Sequence, residues 1–119
     1  MTLTVPFEIR NVQGLLDGEL QLVRAFVQGA AYCWVKNRKG EWFAVRDLVG
    51  GENTDWTGTP LESIYARHIG SGKADDEAFE CAAKDIGWIV KSVLADDRRC
   101  FENDHSGYVA RYRWLEGQD

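Results

Sequence analysis

The stretch ADDEAFECAAKDIGWIVKSVLADD, residues 74–97, is the longest helical pattern in the chain. Its apolar residues recur every three or four positions, which places them on one face of an α-helix. These residues are Phe79, Ala83, Ile86, Val90 and Val93. The segment opens with Asp75, Asp76 and Glu77, and the positive end of a helix dipole stabilises carboxylates there. The pattern predicts a helix from Asp75 to about Leu94 that forms one side of the core.

A shorter helix is predicted before the long one. Thr59-Pro60-Leu61-Glu62 has the spacing of a capping box, in which Thr59 is the N-cap and the Glu62 side chain returns to the N-cap backbone. Pro60 suits the first helical position because that position needs no N–H donor. The helix is expected to run to about Ile69 and to stop at Gly70.

Residues Leu15 to Gln28 allow two interpretations. Four apolar residues recur there at helical spacing, with Asp17 available as N-cap and Gly29 as a C-terminal stop. They are Leu16, Leu20, Val23 and Val27. The run ELQLVRAFV is also compatible with a strand, so both helix and strand stay open for this segment.

Three segments predict an antiparallel sheet. LTVPFEI, residues 3–9, alternates apolar and polar residues, and Pro6 favours a sheet edge. In residues 30–49, two β-rich runs flank NRKG, a turn that closes on a left-handed Gly40 and predicts a first hairpin. RRCFE and YVARYRWLE, separated by NDHSG, predict a second hairpin.

Together these elements predict a single α+β domain spanning residues 1–119. The sheet, built from the N-terminal strand and two hairpins, packs against the long helix and one or two shorter helices. A chain of 119 residues is long enough to bury one core without staples.

Composition limits the classes of partner and compartment. The net charge of -5 argues against a protein that binds the phosphate backbone of nucleic acids, because that affinity comes from Lys and Arg. The chain begins without a basic, apolar leader and contains no run of about twenty apolar residues, which predicts a cytoplasmic protein without a membrane span. Cys33, Cys81 and Cys100 are odd in number and far apart, which predicts reduced, mostly buried thiols. No Cys-x-x-Cys pair is present, and neither a metal nor a cofactor is predicted.

The glycine-rich stretch LVGGENTDWTGTPLESI, residues 48–64, fails as an ion-binding motif. A phosphate-binding loop needs a Lys after Gly58, and none is present. A calcium loop starting at Asn53 would need a Glu where Ile64 stands. What remains is a strand end, an Asx-rich turn and a capped helix start. Trp56 stays unexplained, because a tryptophan in a polar loop must fold back onto something to bury its ring.

The first predicted hairpin places an aromatic set on one sheet face, beside the loop that carries Asp55 and Trp56. Aromatic walls with a few polar groups are typical of small-molecule sites and of protein-interaction hot spots. The competing interpretation is that a helix covers this face and its cations snorkel at the edge. The candidate ligand-binding or interface residues are Tyr32, Trp34, Trp42, Arg46, Asp55 and Trp56. The sequence therefore suggests a non-catalytic binding or protein-interaction module.

Three further hypotheses concern catalysis, nucleic-acid binding and assembly. The alternative function is a small hydrolase-like enzyme with Asp55 and His68 converging in a cleft, although the chain has neither Gly-x-Ser-x-Gly nor His-Glu-x-x-His. The aromatic face of the second hairpin could stack on single-stranded nucleic acid, but core packing explains it better in an acidic chain. Because paired hairpins leave sheet edges to be covered, a homodimer is also expected.

The span from Tyr32 to Tyr65 resembles small proteins of unknown function carried by bacterial integron gene cassettes. The marks of this resemblance are Tyr32-Cys33-Trp34, the loop from Asn53 to Trp56, and Thr59-Pro60-Leu61. The resemblance implies a bacterial, cytoplasmic, mobile accessory protein without an assigned activity. It transfers no catalytic or binding residue to this chain.

Overall fold

The structure is a computed structural model of the chain and describes residues 3, 8–49, 55–97, 99–107 and 109–115. Within these residues, four helices and a three-stranded antiparallel sheet form an α+β domain, which confirms the predicted fold class. The elements are α1 (Asp17–Asn37), β1 (Phe43–Ala44), α2 (Val45–Val49), α3 (Glu62–Gly70), α4 (Asp75–Asp96), β2 (Phe101–Asp104) and β3 (Arg111–Trp114).

Helix α4 confirms the prediction made from residues 74–97. It begins at Asp75 and ends at Asp96, two residues beyond the predicted end. Its buried residues are Ala78, Ala82, Ile86, Ile89, Val90, Val93 and Leu94. Phe79 is only partly buried and Ala83 is exposed, so the buried face is rotated slightly from the predicted stripe. The rotation turns α4 toward α1, α2 and α3, all of which pack against it.

Helix α1 decides between the two interpretations of residues 15–28 in favour of a helix. Leu16, not Asp17, is the N-cap, and its N–H donates to the Glu19 carboxylate at 2.9 Å. Gly29 does not stop the helix, because one glycine in a helix interior costs only about 1 kcal/mol. The face formed by Val23, Val27, Ala31 and Val35 stays buried through that position and offsets this cost.

The first predicted hairpin is wrong. Its first run is the C-terminal part of α1, only Phe43 and Ala44 form a strand, and the residues after them form α2. Strand propensity in this region is outweighed by the four-residue spacing of the buried face of α1, which continues the core. The turn itself is confirmed at Gly40, where φ is +77°.

The second predicted hairpin is confirmed, since β2 and β3 pair antiparallel with Phe101 opposite Trp114. Strand β3 is central, with β1 on its other side and Phe43 opposite Tyr112. The rings of Phe43, Phe101 and Tyr112 are almost fully buried and form the sheet side of the core. The ring centre of Phe101 lies 6.3 Å and that of Tyr112 lies 6.0 Å from that of Phe43.

The N-terminal strand prediction falls mostly on residues 4–7, which lie outside the described residues. Leu3 is buried and forms one parallel bridge with Phe101. Ile9 is outside any strand and largely exposed, so the strand does not extend to it.

Helix α3 begins at Glu62 after a turn that starts at Thr59. The Thr59 hydroxyl accepts the N–H of Leu61 at 3.2 Å, so it caps that turn rather than the first turn of the helix proper. The helix ends at Gly70 as predicted, and the left-handed residue that follows is Gly72.

The three cysteines form no disulfide with one another, and contrary to the prediction they are not buried. Cys33 is exposed on α1, and Cys81 and Cys100 are partly exposed. The prediction of burial was wrong for Cys33 because it assigned that residue to a sheet, whereas it lies on the outer face of a helix.

Candidate functional site

The ring of Trp56 covers Phe79 on α4. The two rings are nearly parallel, with centres 4.7 Å apart and planes inclined by 10°. The indole N–H of Trp56 donates to the carbonyl of Val49 at 3.3 Å, and only 7 % of the residue is exposed. Trp56 therefore fixes the chain before α3 to both α2 and α4.

Asp55 lies beside Trp56 but points to solvent. Its carboxylate accepts the N–H of Thr57 at 2.9 Å, which closes an Asx-type turn. Hydrogen bonding to Thr57 lowers the pKa of Asp55, because it favours the ionised carboxylate. Asp55 is therefore a fixed negative charge at neutral pH.

A cleft of about 500 Å³ opens between this turn, α3 and the first turns of α4. Its walls combine four carboxylates, three aromatic rings and one threonine, and no Lys or Arg is among the described residues that line it. The lining residues are Asp55, Trp56, Thr57, Glu62, Tyr65, Asp75, Asp76 and Phe79.

Three of the four carboxylates of the cleft lie in the first turns of helices. Asp75 and Asp76 lie in the first turn of α4 and Glu62 in the first turn of α3, where helix dipoles stabilise negative charge. Burial raises the pKa of Tyr65, and the negative charge of Asp75 and a hydrogen bond to it raise it further. Tyr65 is therefore a neutral phenol that joins α3 to the start of α4. The packing of α3 on α4 brings all four acids to one concave surface.

The predicted aromatic sheet face does not exist, because Tyr32 and Trp34 lie on α1. The Tyr32 ring is covered by the guanidinium of Arg99, whose central carbon lies 3.5 Å from the ring centre. The Trp34 ring packs against the ring of Phe43, with the two centres 5.8 Å apart. The guanidinium carbon of Arg38 lies 4.9 Å from the centre of the Trp34 ring. These two rings therefore stabilise the junction between α1 and the sheet.

The remaining predicted site residues divide between two places. Trp42 precedes β1 and contacts Arg113, 4.7 Å from its ring centre, and Arg111. Arg46 is exposed on α2 and lines a smaller, mostly apolar cavity of about 210 Å³ on the other side of Trp56. Of the six predicted residues, only Asp55 and Trp56 line the acidic cleft.

His68 bonds to partners other than Asp55. Its Nε2 lies 2.7 Å from the carboxylate of Asp85 on α4, and its Nδ1 lies 3.0 Å from Nζ of Lys73. A Lys ammonium can only donate, so Nδ1 accepts and Nε2 carries the proton that is donated to Asp85. The carboxylate of Asp85 also pairs with Arg67. The convergence expected of Asp55 and His68 is absent from their described hydrogen bonds, and His68 does not line the cleft.

The hydrogen-bonded side chains around His68 include a hydroxyl group. Nζ of Lys73 also donates to Oγ of Ser71 at 3.2 Å. The result is a continuous chain of hydroxyl, amine, imidazole and carboxylate, from Ser71 through Lys73 and His68 to Asp85. Asp85 is not predicted from the sequence, because a single acid on the flank of an amphipathic helix resembles an ordinary solvated residue.

Two kinds of feature are absent from the described residues. No group of three or more His, Cys, Asp or Glu side chains in this part of the chain is arranged to hold a metal ion. None of the helices described combines the length and the apolar content that crossing a bilayer requires.

Comparison of the chain with protein-family models, with characterised proteins and with solved structures finds no match.

Proposed function

We propose that this protein is a non-catalytic binding module that takes a small organic cation into the acidic cleft. The observation that carries the proposal is the convergence of four carboxylates and three aromatic rings on one concave surface, without a Lys or Arg among its described lining residues. The cleft contains Asp55 and Trp56, the part of the sequence-predicted site that lies in the loop before α3.

The size and chemistry of the cleft suit such a ligand. Its volume of about 500 Å³ falls in the range typical of small-molecule sites. An ammonium or guanidinium group is attracted both by the carboxylates and by the faces of aromatic rings, and each attraction strengthens when the ligand is desolvated. The net charge of -5 also raises the local concentration of cations around the protein.

The proposal is tested by isothermal titration calorimetry with three probes: choline, agmatine and the neutral tert-butyl analogue of choline. We expect at least one cation to bind and the neutral analogue to bind at least roughly tenfold more weakly, because it keeps the shape of choline without the charge. Added salt should weaken binding of the cation. Equal binding of charged and neutral probes, or no binding of either cation, would overturn the proposal.

A matched pair of variants tests the location of the site. Asp76 and Asp17 both lie in the first turn of a long helix, but only Asp76 lines the cleft. Asp76→Asn should weaken cation binding by about three- to tenfold, since one partly screened charge is lost. Asp17→Asn should leave binding unchanged, which controls for the change in net charge.

The second candidate function is a small hydrolase, and the observation that favours it is the hydrogen-bonded chain from Ser71 to Asp85. In the structure the Ser71 hydroxyl donates to the carbonyl of His68 at 2.8 Å. In such a reaction Lys73 would first release a proton to solvent, and the Ser71 hydroxyl would turn toward its amine and give it the hydroxyl proton as the Ser71 oxygen bonds to an acyl carbon. The leaving group would depart with that proton. Water would then release the acid. His68, held by Asp85, would position Lys73.

The hydrolase hypothesis predicts a covalent acyl group on Ser71. After incubation with an aryl acetate, mass spectrometry of peptides should find acetyl on Ser71 in the wild type and in Ser106→Ala, which changes another exposed serine in a turn. The label should be absent from the Ser71 position in Ser71→Ala. Acetylation spread over lysines, with none on Ser71, would remove this candidate.

We also propose that the protein acts in the bacterial cytoplasm as a mobile accessory protein. This proposal is supported by the resemblance of residues 32–65 to integron cassette proteins. Fractionation of cells that express the untagged chain should recover it in the cytoplasmic fraction, and recovery from the periplasm would contradict the proposal.

A further inference from the structure

Helix α1 has a side that is turned away from the core of the single chain. We name it the α1 stripe and define it as Glu19, Leu22, Phe26, Gly29, Cys33 and Lys36. We infer that the α1 stripe docks onto the same stripe of a second copy of this chain, with the two helices antiparallel. This inference concerns assembly and is independent of the ligand proposed for the acidic cleft.

The stripe has the spacing and the exposure of a helix-pairing surface. Its positions alternate steps of three and four, the spacing that keeps one seam of a helix facing a partner helix. Leu22 is 63 % exposed and Phe26 is 36 % exposed. The opposite side of α1, which includes Val23 and Val27, already faces the core. The apolar residues of the stripe are therefore not required for the folding of a single chain.

The pattern of the stripe is complementary to its own reverse. An antiparallel pair centred between Val27 and Gln28 places Phe26 opposite Gly29, so a large residue faces the smallest one. The same arrangement places Leu22 opposite Cys33, and Glu19 opposite Lys36. Each contact occurs twice because the pair has a two-fold axis. This complementarity in size and charge identifies a second copy of α1 as the partner.

Gly29 is the residue that single-chain packing leaves unexplained. A glycine in a helix interior is less favourable than alanine, and a Cβ added at Gly29 would meet no other atom within 4 Å. The fold therefore has room for a larger side chain there. The depression that glycine leaves in the outer surface is what an opposing phenylalanine ring needs.

The surface can also extend beyond α1. A groove of about 660 Å³ runs from Leu22 to Pro60 and to Ile69 on α3, and Ile69 is 36 % exposed. A stable pair of proteins buries on the order of 800 Å² on each partner, which is more than one helical seam provides. The groove supplies the additional apolar area next to the stripe.

Disulfide formation tests the orientation of the pair. With the endogenous Cys33, Leu22→Cys should form an intermolecular disulfide with Cys33 of the second copy under mild oxidation, because these positions face each other. Gln21→Cys is the matched control, since residue 21 is exposed next to the stripe but turned away from it, and it should cross-link much less. The wild type should not cross-link, because the two Cys33 residues would be about 16 Å apart along the axis. A Cys33 to Cys33 bond in the wild type would indicate a parallel pair and overturn the proposal.

Charge reversal tests the pairing without a covalent bond. By sedimentation, Glu19→Lys and Lys36→Glu should each weaken the dimer by roughly three- to tenfold at low salt, because two attractions become two repulsions. The double variant should recover most of the wild-type affinity, although it still lacks the Glu19 contribution to the start of α1. A monomeric wild type at high concentration, or a double variant weaker than either single variant, would overturn the inference.

Discussion

The contact between Trp56 and Phe79 predicts a specific cost for replacing the indole by a smaller ring. Trp56→Phe keeps an aromatic ring that can stack on Phe79, but it removes the donor to Val49, whose carbonyl lies 3.3 Å from the indole nitrogen. The smaller ring also buries on the order of 40 Å² less apolar surface, which is worth about 1 kcal/mol. A lost hydrogen bond at this partly buried carbonyl adds about 1 kcal/mol.

We therefore expect Trp56→Phe to lower the free energy of unfolding by about 2 kcal/mol, a large part of the roughly 5–15 kcal/mol typical of a domain. The assay is urea unfolding followed by circular dichroism, which reports the helices. Trp88→Phe is the control, because Trp88 is half-buried and its ring packs against the exposed Arg10 at 4.8 Å and the half-buried Lys91 at 5.2 Å. Trp88→Phe should lower the free energy of unfolding by less than about 1 kcal/mol. Equal effects of the two substitutions would refute the anchoring role of Trp56.

Further predictions concern pH and backbone conformation. Burial raises the pKa of Tyr112 to about 12 from 10, so about 3 kcal/mol of stability, fully present below pH 10, should be lost as the pH rises toward 12. Tyr112→Phe should unfold in urea with much less dependence on pH in that window. Hydrogen bonds from Ser106 and then from Arg111 lower the pKa of Asp104 from 3.8 to about 2. The stability that the ionised Asp104 contributes should therefore be lost as the pH falls from 3.8 toward 2. Acid titration of Asp104→Asn should therefore show a flatter loss of stability there than titration of the wild type. Gly14→Ala should destabilise the fold by about 1–2 kcal/mol, because φ is +88° at Gly14 and a Cβ would lie 2.6 Å from an arginine side chain. Gly87→Ala should have the opposite sign and stabilise by about 0.5–1 kcal/mol, because it lies in α4 with open space at its Cβ. Urea midpoints at neutral pH measure both, and equal signs would contradict this account.

The parts of the fold that the sequence predicted well are those in which local and tertiary preferences agree. Helix α4 has acids at its start and an apolar face that the core uses. The second hairpin has strand-forming residues on both sides of a turn rich in Asn, Asp and Gly. In both cases the local signal does not depend on where other elements lie, so it could be interpreted without them.

The first hairpin was mispredicted because two signals conflicted. Tyr32, Cys33 and Trp34 favour a strand by propensity, whereas Ala31 and Val35 continue the four-residue spacing of the core side of α1. Gly29 does not end the helix, because burial of the long α1 face on both sides of it outweighs the helix propensity of one glycine. Burial of Ala31 and Val35 in the core makes this segment a helix, and that burial depends on where the other elements lie.

The candidate site was predicted only where it is local. Asp55 and Trp56 are adjacent, and a turn at Asp55 followed from its side-chain chemistry. Glu62, Tyr65 and Asp76 join them only because α3 packs on the start of α4. That packing is set by the turn between the helices, and its geometry cannot be calculated from residue spacing.

The two ends of the segment between Val49 and Trp56 are tied together by the bond from the indole to the Val49 carbonyl. The entropy cost of closing a loop grows only slowly with its length, by about 0.6 kcal/mol for each doubling. The two anchors lie seven positions apart in the chain, so this bond closes a short ring at a small entropy cost. The part of the cleft wall that Trp56 forms is therefore held by a contact that is local in sequence.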